Sequence, residues 1–118
     1  MMRDISKAAV DTWGMEDQML MVAEEAVELS HAVLKWRRAW EKYNKAGISL
    51  TREEDPLESK AYQRSLEVTV KAVKKEAMQV FFMLDQLQVM LPGDYESVLE
   101  GVLADCAQLL RNRGIEVK

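Results

Sequence analysis

Leu66, Val70, Val73, Ala77, Val80, Leu84, Leu87 and Leu91 recur every three or four residues without a miss, which is the period of one helix face. The spacing predicts a third helix from about Pro56, since proline suits a first helical position, to about Leu91, where Pro92-Gly93 breaks it. Between Ala77 and Leu84 nearly every position is apolar, so this stretch is expected to be surrounded by protein. Upstream, a short first helix is expected from about Asp4 to Thr12, with a bend at Trp13-Gly14. A second helix follows from Met15 to about Ala46, with Gly47 as its stop. It carries one apolar stripe of Val22, Ala26, Leu29, Val33, Trp36 and Trp40, and another of Leu20, Ala23, Val27 and Leu34. Ile48 to Pro56 reads as a polar connector, and Asp94 suits the cap of a fourth helix from Tyr95 to about Arg113.

No strand-like alternation of useful length occurs, so the expected class is all-α, in a single domain over residues 1–118. Two helices that are apolar on more than one side need more neighbours than a chain of this length supplies. A helical bundle completed by a second subunit is therefore expected, with a compact monomeric four-helix bundle as the alternative.

Composition narrows the function classes. A formal net charge of −4 gives no invitation to a nucleic acid polymer or an anionic membrane. The longest apolar runs, Met19–Ala23 and Val80–Leu84, are five residues each, far short of a membrane span. Met1 to Lys7 lacks the apolar run of a signal peptide, so a cytoplasmic location is expected. Cys106 is the single cysteine, and its apolar neighbours predict a buried thiol in a reducing compartment.

The chemistry is concentrated in Glu24-Glu25-Ala26-Val27-Glu28, set between Met19-Leu20-Met21-Val22-Ala23 and Leu29. Desolvating a carboxylate is costly unless it finds a partner. Glu25 and Glu28 project from neighbouring turns of one helix face, and a divalent metal is the simplest partner for two convergent anions. Solvent-facing glutamates on a long helix are the alternative.

Trp13-Gly14 with Gln18, then Glu24-Glu25-x-x-Glu28-Leu29, resembles the first half of the MazG-like nucleoside triphosphate pyrophosphohydrolases. Lys75-Glu76-Ala77-Met78-Gln79-Val80 followed by Met83-Leu84-Asp85-Gln86-Leu87 resembles the second half. The resemblance implies an all-α bundle in which four acidic side chains from two helices hold Mg²⁺ against the phosphates of a nucleotide. Water then cleaves the triphosphate to a monophosphate and pyrophosphate. Carried over by position, the implied ligands are Glu25, Glu28 and Glu76, with Gln79 where the family has an aspartate. Lys75 stands where a second glutamate is common, and 47 residues separate Glu28 from Glu76, a longer interval than in compact members.

A glutamine carbonyl can still offer Mg²⁺ an oxygen, but without charge; a buried amide bonding across the bundle is the other reading of Gln79. Asp85 is no simple replacement, because at about 100° per residue it lies nearly opposite Glu76. Glu24 is a candidate base or outer-shell carboxylate. Lys35, seven residues beyond Glu28, falls on nearly the same face and could meet distal phosphates; Arg38 is a further candidate. Trp13 could stack a base and Gln18 read its edge, or Trp13 could simply staple the first helix to the bundle. Trp36 and Trp40 are expected in the core or at a subunit interface. His31 is the lone histidine and has no zinc-ligand spacing around it. The expectation is thus a Mg²⁺-dependent nucleotide pyrophosphohydrolase acting as a homo-oligomer. A relative weakened or disarmed by Gln79, binding nucleotides or only assembling, is the alternative.

Overall fold

The computed structural model describes residues 1–45 and 56–118. It consists of α1 (Met2–Trp13), α2 (Met15–Lys45), α3 (Pro56–Met90) and α4 (Tyr95–Asn112). Every helix read from the sequence is present, with ends within two residues of those expected. The stop at Gly47 and the connector from Ile48 fall outside the described residues. Gly14 makes the bend between α1 and α2 with φ of 85°, a left-handed conformation that side chains disfavour. Its N–H donates to the Val10 carbonyl at 2.8 Å and its own carbonyl accepts from Gln18 N–H at 3.2 Å, so α2 begins at once. Asp94 caps α4 by accepting from Ser97 N–H at 3.0 Å, and the Tyr95 hydroxyl donates back to the Leu91 carbonyl.

The main contact is between α2 and α3, with α1 laid against α3 and touching α2 less. Glu25 meets Glu76, while Gln18 shares a cavity wall with Gln86, so α2 and α3 run antiparallel. On α3 the covered positions Tyr62, Leu66, Thr69, Val73, Glu76, Val80, Met83, Leu87 and Met90 alternate in steps of four and three. On α2 the covered positions include Gln18, Val22, Glu25, Leu29, Ala32, Ala39 and Tyr43, which keep the same sevenfold register. This is coiled-coil-like spacing, and two of its seam positions, Glu25 and Glu76, are acids.

That seam corrects the stripes expected on α2. Val33, Trp36 and Trp40 are exposed, as are Leu20, Val27 and Leu34. The contact face keeps Val22 and Leu29 of the expected stripe but is otherwise built around Ala32 and Ala39, whose small side chains let the helices approach closely, together with polar Gln18 and Glu25. Weighting by hydropathy passes over such positions. The stretch from Ala77 to Leu84 is likewise not surrounded, since Met78, Phe81 and Leu84 face outward.

Helix α4 makes no extensive contact with the other helices and buries none of its residues. Val98, Leu99, Val102, Leu103, Leu109 and Leu110 are all exposed. Cys106 is exposed too, which corrects the expected buried thiol: its neighbours are apolar, but no partner helix covers them in a single chain. The radius of gyration is 19.7 Å, against about 13 Å for a compact domain of 100 residues. The accessible surface of 9492 Å² likewise exceeds the roughly 6,500 Å² that a compact monomer of this mass presents. Among the described residues, no helix is long and apolar enough to cross a membrane.

One clasp fixes α1 to α3. Ser6, fully buried beside Ala9 on the inner face of α1, donates its hydroxyl to Asp85 Oδ2 at 2.6 Å. Arg3 Nε donates to Asp85 Oδ1 at 3.0 Å, its Nη2 lies 2.8 Å from the same oxygen, and Nη2 also donates to Gln88 Oε1 at 2.9 Å. The guanidinium and the hydroxyl together outweigh the cost of burial and hold the Asp85 carboxyl below the usual carboxylate range.

Candidate metal centre

Glu25 projects from the α2 seam and Glu76 from the α3 seam, so antiparallel packing sets them face to face. Glu28, one turn after Glu25 at the seam's edge, completes a trio with one carboxylate oxygen from each residue within 4.8 Å of the others. Glu25 and Glu76 are half-buried and Glu28 is exposed. Among the described residues, no lysine or arginine pairs with any of them. Burial first, and then the charges of Glu28 and Glu76, push the Glu25 carboxyl above its ordinary range.

Gln79, one turn beyond Glu76, places its carboxamide between the acids of both helices. With its nitrogen turned inward it donates to Glu76 Oε2 at 2.8 Å and to Glu25 Oε2 at 3.2 Å. Turned by 180°, the same amide sets its oxygen there instead. The amide is thus either a hydrogen-bond clip between two carboxylates or a fourth, neutral oxygen donor.

This donor set fits a hard cation. Carboxylate and amide oxygens are the ligands Mg²⁺ selects, and ligands opposite one another across the ion lie about 4.2 Å apart. The three carboxylate oxygens lie within 4.8 Å of one another, so they would draw together to share one ion. Asp85 takes no part, because its carboxylate is turned to α1 and already satisfied. His31 lines a shallow pocket with Ala23, Glu24, Val27 and Glu28 but is not among the clustered ligands.

The remaining expected residues divide into two groups. Trp13, Gln18 and Glu24 line one cavity of about 510 Å³ at the bend between α1 and α2, closed on its far side by Phe82, Met83 and Gln86 of α3. Glu24 stands outside the trio and lines both that cavity and the shallow pocket beside Glu28. Lys35 and Arg38 are exposed further along α2, and no hydrogen bond or ion pair links them to the trio. Arg37 is engaged with Glu41 at 3.2 Å.

Sequence reasoning missed Phe82 and Gln86. Gln86 is 2% exposed, and its Oε1 has no hydrogen-bond donor. The available signal was the polar pair Asp85-Gln86 following the apolar run Val80–Leu84, because polar residues there must be buried with partners or serve a ligand. No protein family matches this chain, and neither a curated protein nor a solved structure matches it.

Proposed function

We propose that the protein is a MazG-like, Mg²⁺-dependent pyrophosphohydrolase that converts a nucleoside triphosphate to a monophosphate and pyrophosphate. One observation carries the reading: acids from two antiparallel helices converge at a packing seam, and among the described residues no lysine or arginine pairs with them. Unbalanced anions at such a position weaken the fold unless a ligand relieves them. Glu25, Glu28 and Glu76 would hold the metal, with Gln79 turned to offer its oxygen. When bound, Mg²⁺ supplies charge neutralisation for the phosphates and an activated water. Glu24, beside the trio and open to solvent, would take the proton of the attacking water as its oxygen bonds to the α-phosphorus and the bond to the β-bridging oxygen breaks. Trp13 and Gln18 line the adjoining cavity, where they would hold the base. Lys35 and Arg38 would meet substrate only by swinging toward the site, which makes them the weakest members of the set.

The assembly belongs to the same proposal. The whole chain exposes roughly 3,000 Å² more than a compact monomer of its mass, and the bare face of α4, the outward Met78 and Phe81, and the Val33, Trp36 and Trp40 surface of α2 are exposed apolar faces. A stable interface needs about 800 Å² from each partner. A homo-oligomer, dimer or tetramer, would cover that excess, working in the cytoplasm on small nucleotides rather than on nucleic acid or membranes.

The Gln79 clip favours a second reading, in which the amide stands in for a cation and the protein binds nucleotides without cleaving them. A panel of ribo- and deoxyribonucleoside triphosphates with Mg²⁺, scored for pyrophosphate release, separates the two. Turnover by the native protein that EDTA abolishes supports the hydrolase. Nucleotide binding without turnover, together with turnover gained by Gln79→Asp, supports the disarmed relative. Failure of Mg²⁺ and nucleotides alike to raise the melting temperature sinks both, because a ligand of the native state must stabilise it.

A further inference from the structure

Helix α4 carries an apolar face that nothing in its own chain covers. Val98, Val102, Leu103, Cys106, Leu109 and Leu110 fall within about 140° of its circumference, and all six are exposed. Glu96 and Glu100 border one edge of that face and Asp105 the other, so α4 carries three acids against the single Arg111.

The α2–α3 hairpin has the converse character at the end remote from the acid trio. Val33, Trp36 and Trp40 line a shallow pocket with Arg37. In the antiparallel hairpin, helical phase sets a second pocket, of Leu66, Glu67, Val70, Lys71 and Lys74, on the same side. Residues 33–45 and 56–75 hold ten lysines and arginines against three glutamates, net +7, in a chain whose formal net charge is −4. An apolar helix edged with acids thus matches an apolar groove edged with cations.

The two cannot meet within one chain. Helix α3 ends at Met90, four residues past Gln86, and Gln86 shares a cavity wall with Gln18. At 1.5 Å per residue, Trp36 therefore lies about 33 Å along the hairpin from the end of α3. The Tyr95 hydroxyl ties the start of α4 to the Leu91 carbonyl, and its 18 residues reach only about 27 Å. Even folded straight back, α4 would stop short of Trp36 and Trp40.

We propose that α4 of one copy docks on the tryptophan groove of a second copy, and that two chains exchange these helices reciprocally about a two-fold axis. A second copy is the occupant because it brings the complementary charge and the apolar face together on one helix. Reciprocal exchange makes the contact twice over, toward the roughly 800 Å² that each partner buries in a stable complex. It also leaves neither surface open for further chains to add. The inference rests on the assembly reading above for the existence of a partner, and not on metal, nucleotide or hydrolysis.

Cys106 is the single cysteine and sits on the α4 face, so it reports directly what that face touches. The full chain carrying Val33→Cys, mildly oxidised, should form a disulfide-linked dimer that peptide mapping resolves as residue 33 joined to residue 106. Val27→Cys, exposed on the far side of α2, should not form that link, and neither should Val33→Cys combined with Cys106→Ser. Leu103→Glu should weaken the dimer by on the order of 100-fold in sedimentation, because it sets a charge inside an apolar contact. A native chain that sediments as a monomer at high micromolar concentration overturns the proposal together with the assembly reading. A dimer that Leu103→Glu leaves unchanged, or in which the Val33→Cys sulfur never joins Cys106, overturns the proposal and leaves that reading intact. So does a native dimer whose two Cys106 side chains join each other. Pyrophosphate release is scored separately and is untouched by any of these outcomes.

Discussion

Two carboxylate sites share α3 and have opposite fates. Asp85 is buried, but Arg3 and Ser6 satisfy both of its oxygens, and its carboxyl is held below the usual range. Glu76, nine residues earlier and nearly opposite on the same helix, meets Glu25 and Glu28 with no ion pair to a cation among the described residues. Burial and like charge push Glu25 the other way. The first site is complete within the chain, and its role is to dock α1. The second has no such partner among the described residues beyond the neutral amide of Gln79, when its nitrogen is turned inward. Both need burial of an anion; the presence of a partner from the same chain is what separates a structural acid from a candidate binding site.

The largest expected effect tests that division directly. Glu76→Gln should reduce Mg²⁺-dependent pyrophosphate release by on the order of 100-fold or more, since it removes a ligand rather than a supporting group. In EDTA its melting temperature should stay level or rise, because like-charge repulsion falls. Asp85→Ala should do the reverse. Loss of its charged hydrogen bonds should cost about 2 kcal/mol, lowering the melting temperature by roughly 10 °C, while turnover of the folded fraction changes little. The comparison breaks if Asp85→Ala abolishes turnover in protein still folded, or if Glu76→Gln destabilises the metal-free protein as strongly.

The pH dependence of stability sharpens the contrast through the opposite shifts. Asp85 ionises more readily folded than unfolded, so its stabilisation is present above the ordinary Asp value of about 3.9 and is lost as pH falls through its lowered folded value. Glu25 holds its proton more tightly folded than unfolded. Its favourable part is present below the ordinary Glu value of about 4.3 and is lost as pH rises through the raised folded value. Urea midpoints between pH 3 and 8 in EDTA should show both limbs. Asp85→Ala should flatten the acid limb alone, and Glu25→Gln the upper one. Mg²⁺ should lift stability on the upper side only, and a uniform lift across the range would count against the trio as its site.

The helices were legible because apolar period, Pro56, Pro92-Gly93 and the Asp94 cap all act locally, within a turn or two of chain. Which face of α2 meets α3 was less so. Val33, Trp36 and Trp40 look like a core by hydropathy, but the seam uses Ala32, Ala39, Gln18 and Glu25, and small or polar residues carry no hydropathy signal. Glu25, Glu28 and Glu76 could be brought together only by combining helical spacing with the family resemblance; spacing alone relates Glu25 to Glu28, not to Glu76. Gln86 was missed because an orphaned oxygen is a property of its surroundings. Asp85 was set aside as a ligand on angle, but its clasp with Arg3 spans 82 residues of sequence, and no local pattern announces such a pair.

Gln79 is where the two kinds of site are closest to exchanging roles, and its replacement has the smallest and most discriminating expected effect. With its nitrogen turned inward the amide donates to both Glu25 and Glu76, so Gln79→Asp both removes those donors and adds a charge to three. In EDTA this should cost about 1 kcal/mol, read as a lower urea midpoint at neutral pH. With Mg²⁺ the sign should reverse, because a fourth anionic oxygen strengthens a hard-cation site, and the metal affinity measured by calorimetry should rise about 10-fold. Gln79→Leu removes the donors without adding charge, and should weaken both forms. A reversal in the aspartate variant that is absent from the leucine variant assigns Gln79 to the cation. Equal losses in both media for both variants would make it a structural clip, and would move the acid trio into the same class as Asp85.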